Sequence, residues 1–173
     1  MHALVVYESM FGNTRQVAEA IAAGLGSDVQ VELMEVGTAP VQLGEHVELV
    51  DVGGPTHAHG LSRPGPRKAA VEQGAGAETS SGVGLRQWLE ALPARPGISA
   101  AAFDTRFDKP RWLTGSAARG TARRLERLRF RLVAPPESFY VLGTPGPLAD
   151  GELERARRWG QNLARIAETT QHQ

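Results

Sequence analysis

Short apolar runs alternate with segments of helical period along this chain, and that alternation restricts the fold more than any other feature. Ala3, Leu4, Val5 and Val6 follow one another, as in a strand buried on both faces. Val17, Ala18, Ile21, Ala22 and Leu25 then repeat with helical spacing, and Gly24 and Gly26 mark the helix end. Further strands are predicted over residues 29–36, 47–52 and 98–103. Leu85, Trp88, Leu89 and Leu92 recur at i, i+3, i+4 and i+7, predicting a core-facing helix. Ser116 is placed to cap a helix over residues 117–128. Residues 130–133 and 138–142 are two extended runs split by Pro135-Pro136, read as one edge strand with a kink. A last helix over residues 152–167 is expected to turn Leu153, Ala156, Gly160, Leu163 and Ala167 inward. Residues 57–82 are rich in Gly, Pro, Ala and Ser, and read as a long functional loop or a disordered segment, with a short helix near 67–72.

This order predicts the α/β class. The expected architecture is a doubly wound sheet of five parallel strands, order 2-1-3-4-5, with helices on both faces. Residues 1–167 read as one domain and 168–173 as a polar tail. In that topology a ligand lies at the carboxyl ends of the strands, near the switch point between the first and third.

The turn after the first strand runs Tyr7, Glu8, Ser9, Met10, Phe11, Gly12, Asn13, Thr14 and leads directly into a helix. A helix N-terminus presents backbone N–H groups and partial positive charge, so such a turn suits an anion. Ser9 and Thr14 add hydroxyls, Asn13 an amide, and Gly12 room for close approach. The alternative is that these side chains only cap the helix. The turn contains neither a Walker A loop nor the G-x-G-x-x-G dinucleotide fingerprint.

It does resemble the phosphate loop of flavodoxins, S/T-x-x-G-N-T after the first strand, matched at Ser9, Gly12, Asn13 and Thr14. The turn after the third strand, Gly53-Gly54-Pro55-Thr56-His57-Ala58-His59-Gly60, resembles the ring-binding loop of the same family. The resemblance extends through Gly146-Pro147-Leu148 and the Trp159 helix to nearly the whole length. It implies noncovalent flavin mononucleotide (FMN), with its phosphate on Ser9, Met10, Phe11, Gly12, Asn13 and Thr14. Pro55 and Thr56 would line the ribityl chain and ring edge. His57, Ala58 and His59 would lie beside the ring, and Gly60 would ease the peptide flip that flavodoxins undergo on reduction. Asp104, Thr105, Arg106 and Phe107, after the fourth strand, would face the ring, with Phe107 or Trp112 available to stack. Arg106 would stabilise negative charge on the reduced ring.

Composition bounds the function. The 173 residues carry 19 basic and 19 acidic side chains, so no net field argues for nucleic acid. Electron-carrier flavodoxins are usually acidic, so the neutral balance is a departure from that family. Absence of cysteine excludes disulfides, thiolate metal sites and iron–sulfur ligation. The His57-x-His59 pair lacks further metal ligands at sensible spacing. No catalytic residue is evident. The N-terminus shows no leader pattern and no run is long enough to span a membrane, so a cytoplasmic location is expected. Arg119, Arg123, Arg124, Arg127, Arg129 and Arg131 form a basic stretch, read as a solvated face, with a docking surface as the alternative.

Three functions follow. The first is electron transfer with a redox partner protein or small donor or acceptor. The second is an FMN-dependent oxidoreductase of quinone-reductase or protoporphyrinogen-oxidase type. The third is a flavodoxin-fold binding module without flavin. The electron carrier is the preferred expectation.

Overall fold

A computed structural model of the chain describes residues 1–57, 61 and 82–172. Strands β1 (His2–Tyr7), β2 (Gln30–Glu35), β3 (Leu49–Pro55) and β4 (Ser99–Phe107) are joined by β5 (Arg131–Leu132) and β6 (Glu137–Val141). All strand pairs are parallel, in the order β2-β1-β3-β4-β5, with β6 also paired to β4. β5 pairs with Ser99 and Ala100, and β6 with residues 103–107, so the two pieces lie in series along one edge of β4. Pro135 and Pro136 fall between them, where the missing N–H groups break the ladder.

The helices are α1 (Asn13–Leu25), α2 (Leu85–Ala91), α3 (Arg111–Thr114), α4 (Ala117–Arg127) and α5 (Glu152–Gln171). Val50, Val52, Ala100 and Ala102 pack beneath α2 and α4, against Trp88, Leu89, Ala122 and Leu125. Leu49, Ala101 and Phe103 pack on the other face, beneath α1 and α5, against Val17, Ile21, Trp159 and Leu163. Period-two alternation in the strands thus splits one apolar chain into two core layers. Helices α1 and α5 touch through glycines: a Cβ on Gly24 would stand 1.9 Å from the Arg157 carbonyl oxygen, and one on Gly160 would stand 2.3 Å from that of Ile21.

Three local expectations need correction. β3 and β4 run on to Pro55 and Phe107, so Asp104, Thr105 and Arg106 are strand residues, not loop residues. Their polarity hides them, but β3 and β6 flank residues 103–105 on both sides and hold them extended. The last helix continues to Gln171, past the predicted end at Ala167. Leu153 is exposed and Glu152 is buried in its place. Glu152 accepts a hydrogen bond from the Tyr140 backbone N–H at 2.7 Å and pairs with Arg155 at 2.6 Å, which sets the rotation of the first turn. Of the loop over residues 57–82, the short helix predicted near 67–72 lies outside the described residues.

Asp51 lies in the middle of β3, between Val5 and Ala101, on the face beneath α1 and α5. It is fully buried and neither carboxyl oxygen makes a hydrogen bond of ordinary geometry. Burial pushes its pKa up to about 8, and the neighbouring Val52 amide offsets only part of that. The unfolded carboxyl ionises near the ordinary 3.8, so stability falls as pH rises between that value and about 8. Asp51→Val is expected to exceed the parent protein in stability, with a gap of about 2 kcal/mol or more at pH 8 that shrinks toward pH 4. Urea unfolding across that range measures it, and a gap independent of pH would mean the carboxyl does not titrate there. Gly160→Ala is expected to lower stability by about 1–3 kcal/mol through overpacking against α1.

Candidate functional site

The carboxyl ends of β1, β3, β4 and β6 open into a cleft of about 130 Å³. Its walls include Met10, Phe11, Asn13 and Thr14 from the first turn, and Pro55, Thr56 and His57 from the end of β3. Thr105, Arg106 and Phe107 come from β4, and Val141, Gly143 and Thr144 from the end of β6. Apolar and hydroxyl-bearing side chains therefore share one cleft. A larger, shallow groove beside Pro135, Trp159 and Ile166 lies along the far half of α5, away from these strand ends.

The first turn is built to leave a helix N-terminus open. The N-cap of α1 is Gly12 at φ 88°, a left-handed conformation that disfavours side chains. Among the described residues no side chain caps the helix, and no acid occupies its first turn. The two residues that would have capped it are engaged elsewhere. Thr14 Oγ1 shares a 2.8 Å hydrogen bond with Thr105 Oγ1, and Asn13 Nδ2 donates to the Pro145 carbonyl at 3.1 Å. Ser9 is fully buried, and its Oγ accepts the Gly12 N–H at 3.1 Å, which shapes the turn from below. Partial positive charge at the start of α1 is thus left uncompensated by protein side chains.

Asp104 forms the junction beneath the cleft. Its Oδ2 accepts from Thr56 Oγ1 at 3.1 Å, Ser116 Oγ at 2.7 Å and the Ala118 N–H at 2.9 Å. Thr56 Oγ1 in turn accepts the Ala117 N–H at 2.9 Å, and the Thr56 N–H donates to the Thr105 carbonyl at 2.9 Å. One carboxylate thereby fixes the end of β3, the end of β4 and the start of α4. Glu8 performs a similar service nearby, with Oε1 accepting the Leu85 N–H at the start of α2 at 3.3 Å.

Arg106 is only 7% exposed, yet it lines the cleft. Nε donates to Ser138 Oγ at 2.9 Å, and Nη1 to the Lys109 carbonyl at 2.8 Å and Thr114 Oγ1 at 3.1 Å. Its guanidinium also lies 5.4 Å from the Tyr140 ring centroid. All these acceptors are neutral.

The structure therefore brings Met10, Phe11, Asn13, Thr14, Pro55, Thr56, His57, Thr105, Arg106 and Phe107 to one cleft. Ser9, Gly12 and Asp104 are not on its wall and act by shaping the residues that are. Ala58, His59 and Gly60 lie outside the described residues. Trp112, a candidate stacking residue, is 82% exposed and off the wall. Val141, Gly143 and Thr144 were missed, although the Gly-Thr-Pro-Gly-Pro turn after a strand was itself a signal. Among the described residues no group of three or more His, Cys, Asp or Glu could hold a metal. None of their helices is long and apolar enough to cross a membrane.

No family model and no curated sequence matches the chain. Solved structures do. A flavodoxin from the domain Archaea is 21% identical, with 97% of this chain and 99% of that one covered at a TM-score of 0.68. Oxidised Flavodoxin 1 from Bacillus cereus is 17% identical, with 95% and 98% covered, also at 0.68. The chain has the flavodoxin-like fold. A flavodoxin, WrbA-like protein from Agrobacterium tumefaciens is 18% identical, with 98% of each chain covered and a TM-score of 0.57. Flavodoxin-like topology accounts for the strand order, and the cleft lies at its switch point between β1 and β3.

Removal of the Asp104 carboxyl leaves the Thr56 and Ser116 hydroxyls and the Ala118 amide without their acceptor. Asp104→Ala is expected to cost about 2 kcal/mol or more of stability, measured by urea unfolding with an unchanged m-value. A cost below about 0.5 kcal/mol would show that the junction is not holding the strand ends.

Proposed function

We propose that the cleft binds FMN and that the protein acts in electron transfer, as a soluble cytoplasmic flavodoxin-like carrier. The observation that carries this reading is the side-chain-uncapped start of α1, open beside a cleft with both hydroxyl and apolar walls. The residues present suit the group. The amides and hydroxyls of the first turn match a terminal phosphate. Thr56, Thr105 and Thr144 provide polar contacts for a ribityl chain, and Met10, Pro55, Phe107 and Val141 provide apolar surface for a flat ring. Bound FMN supplies acceptance and release of one or two electrons at that ring. The protein's own part is to hold the phosphate, exclude water along the apolar wall and fix the charge around the ring.

Arg106 favours a second reading, an FMN-dependent oxidoreductase. A buried cation in the cleft wall stabilises negative charge on a reduced ring, which an acidic carrier site would oppose. Turnover of a quinone with a nicotinamide donor would support that reading over the carrier.

Titration of the purified protein with FMN, followed by flavin fluorescence, tests the cofactor. Quenching with saturable stoichiometry is expected, and a titration without quenching would end both flavin readings. Thr14→Ala is expected to weaken FMN by about 1.5–3 kcal/mol and riboflavin much less, because the lost contact is charge-assisted. Equal weakening of both ligands would place the phosphate elsewhere.

A further inference from the structure

Charge is unevenly distributed over this neutral chain. Residues 104–131 hold nine basic and three acidic side chains, although the whole chain has 19 of each. The remainder is therefore net acidic. Helices α4 and α5 treat their arginines differently. On α5, Arg155 pairs with Glu137 at 2.9 Å and with Glu152 at 2.6 Å, and Glu154 pairs with Arg157 at 2.6 Å and Arg158 at 3.3 Å. On α4, Arg119, Arg123 and Arg127 are exposed and form no ion pair or side-chain hydrogen bond among the described residues.

These three arginines stand at i, i+4 and i+8, on the face opposite the buried Ala118, Ala122 and Leu125. Like charges at that spacing repel, so the stripe costs stability in the free protein. Burial pulls the Arg124 pKa below the ordinary arginine value, and the Arg86 guanidinium across from it on α2 adds to the shift. Carboxylates brought to this face would relieve both strains.

The short segment that leads into α4 carries exposed apolar side chains. Trp112 is 82% exposed, Leu113 52% and Phe107 41%, and Phe107 also lines the cleft. Trp and Arg are the residue types that dominate protein–protein hot spots. An apolar centre with a charged rim is the anatomy of a protein interface. A nucleic-acid groove would instead interleave aromatics among the cations. Here the apolar side chains stand together in the chain ahead of α4, a few residues after Phe107 of the cleft wall.

We propose that the face formed by Trp112, Leu113, Arg119, Arg123 and Arg127 is a docking surface for an acidic redox protein. That the partner is a redox protein rests on the electron-transfer reading above. Docking itself requires no cofactor.

The test uses the full chain and an acidic plant-type [2Fe–2S] ferredoxin as probe, with calorimetry at low and at physiological salt. Basic cytochrome c and a single-stranded oligonucleotide serve as controls. Ferredoxin is expected to bind, with affinity falling about tenfold or more as salt screens the contact. Arg119→Glu with Arg123→Glu is expected to weaken it about tenfold or more, and Trp112→Ala by a similar factor. Circular dichroism of the variants reports their folding, and their FMN affinity is expected to match the parent, since none of the three residues lines the cleft. Absence of ferredoxin binding, binding unchanged in the folded variants, or tighter binding of either control would overturn the proposal. A chain that binds ferredoxin and takes no FMN keeps the docking face and loses the cofactor reading; the converse loses the docking face alone.

Discussion

The site depends on one buried carboxylate. Asp104 sits one pair before the last shared register of β3 and β4, opposite Gly54, and gathers three donors from the end of β3 and the start of α4. Parallel strands end in loops that would otherwise be free to splay. Charge-assisted hydrogen bonds at their carboxyl ends oppose that freedom where a ligand must meet a fixed surface. Through Thr56 the same carboxylate also reaches the Ala117 amide, so the first turn of α4 and the wall of the cleft are set by a single group.

Two kinds of helix start meet at this end of the sheet. Helix α4 is capped in full: Ser116 Oγ accepts the Arg119 N–H at 3.4 Å, and Asp104 accepts the Ala118 N–H. Helix α2 is tied by Glu8. Helix α1 has neither a side-chain cap nor an acid. Helix α5 also starts at a left-handed glycine without a side-chain cap, but Glu152 and Glu154 stand in its first turn, so among the described helices longer than four residues α1 is the one left with neither a side-chain tie nor an acid. Thr14 and Asn13 of the first turn bind Thr105 on β4 and the Pro145 carbonyl instead of capping α1.

The sequence made the fold legible because apolar alternation is a direct record of burial. Runs such as Ala3 to Val6 and the Leu85–Trp88–Leu89 stripe have no other economical use, and both lie in the core. The first turn was legible for a different reason: a strand end, a glycine and a helix start follow one another directly in the sequence, and the structure forms them in that order. The parts that were not legible all involve buried polar residues. Asp104, Thr105 and Arg106 read as loop residues because polarity argues for solvent, yet they complete a central strand. Glu152 displaced Leu153 from the interior because a hydrogen bond to Tyr140 and an ion pair to Arg155 outweighed a leucine. Val141, Gly143 and Thr144 joined the cleft because β6 pairs with the end of β4, a long-range pairing that gives the turn after it its place. Asp51 has no such compensation; the structure shows its burial and supplies no partner that explains it.

The interruption at Pro135-Pro136 has a consequence beyond the geometry of β4. An open sheet has two margins, each a row of unpaired amides and carbonyls that another chain can extend. At one margin, β2 carries Glu32 and Glu35. At the other, two proline rings divide the edge into strands of two and five residues, too short and too displaced to template a third molecule. The same break that divides one strand into two also shortens the edge that another chain could pair with.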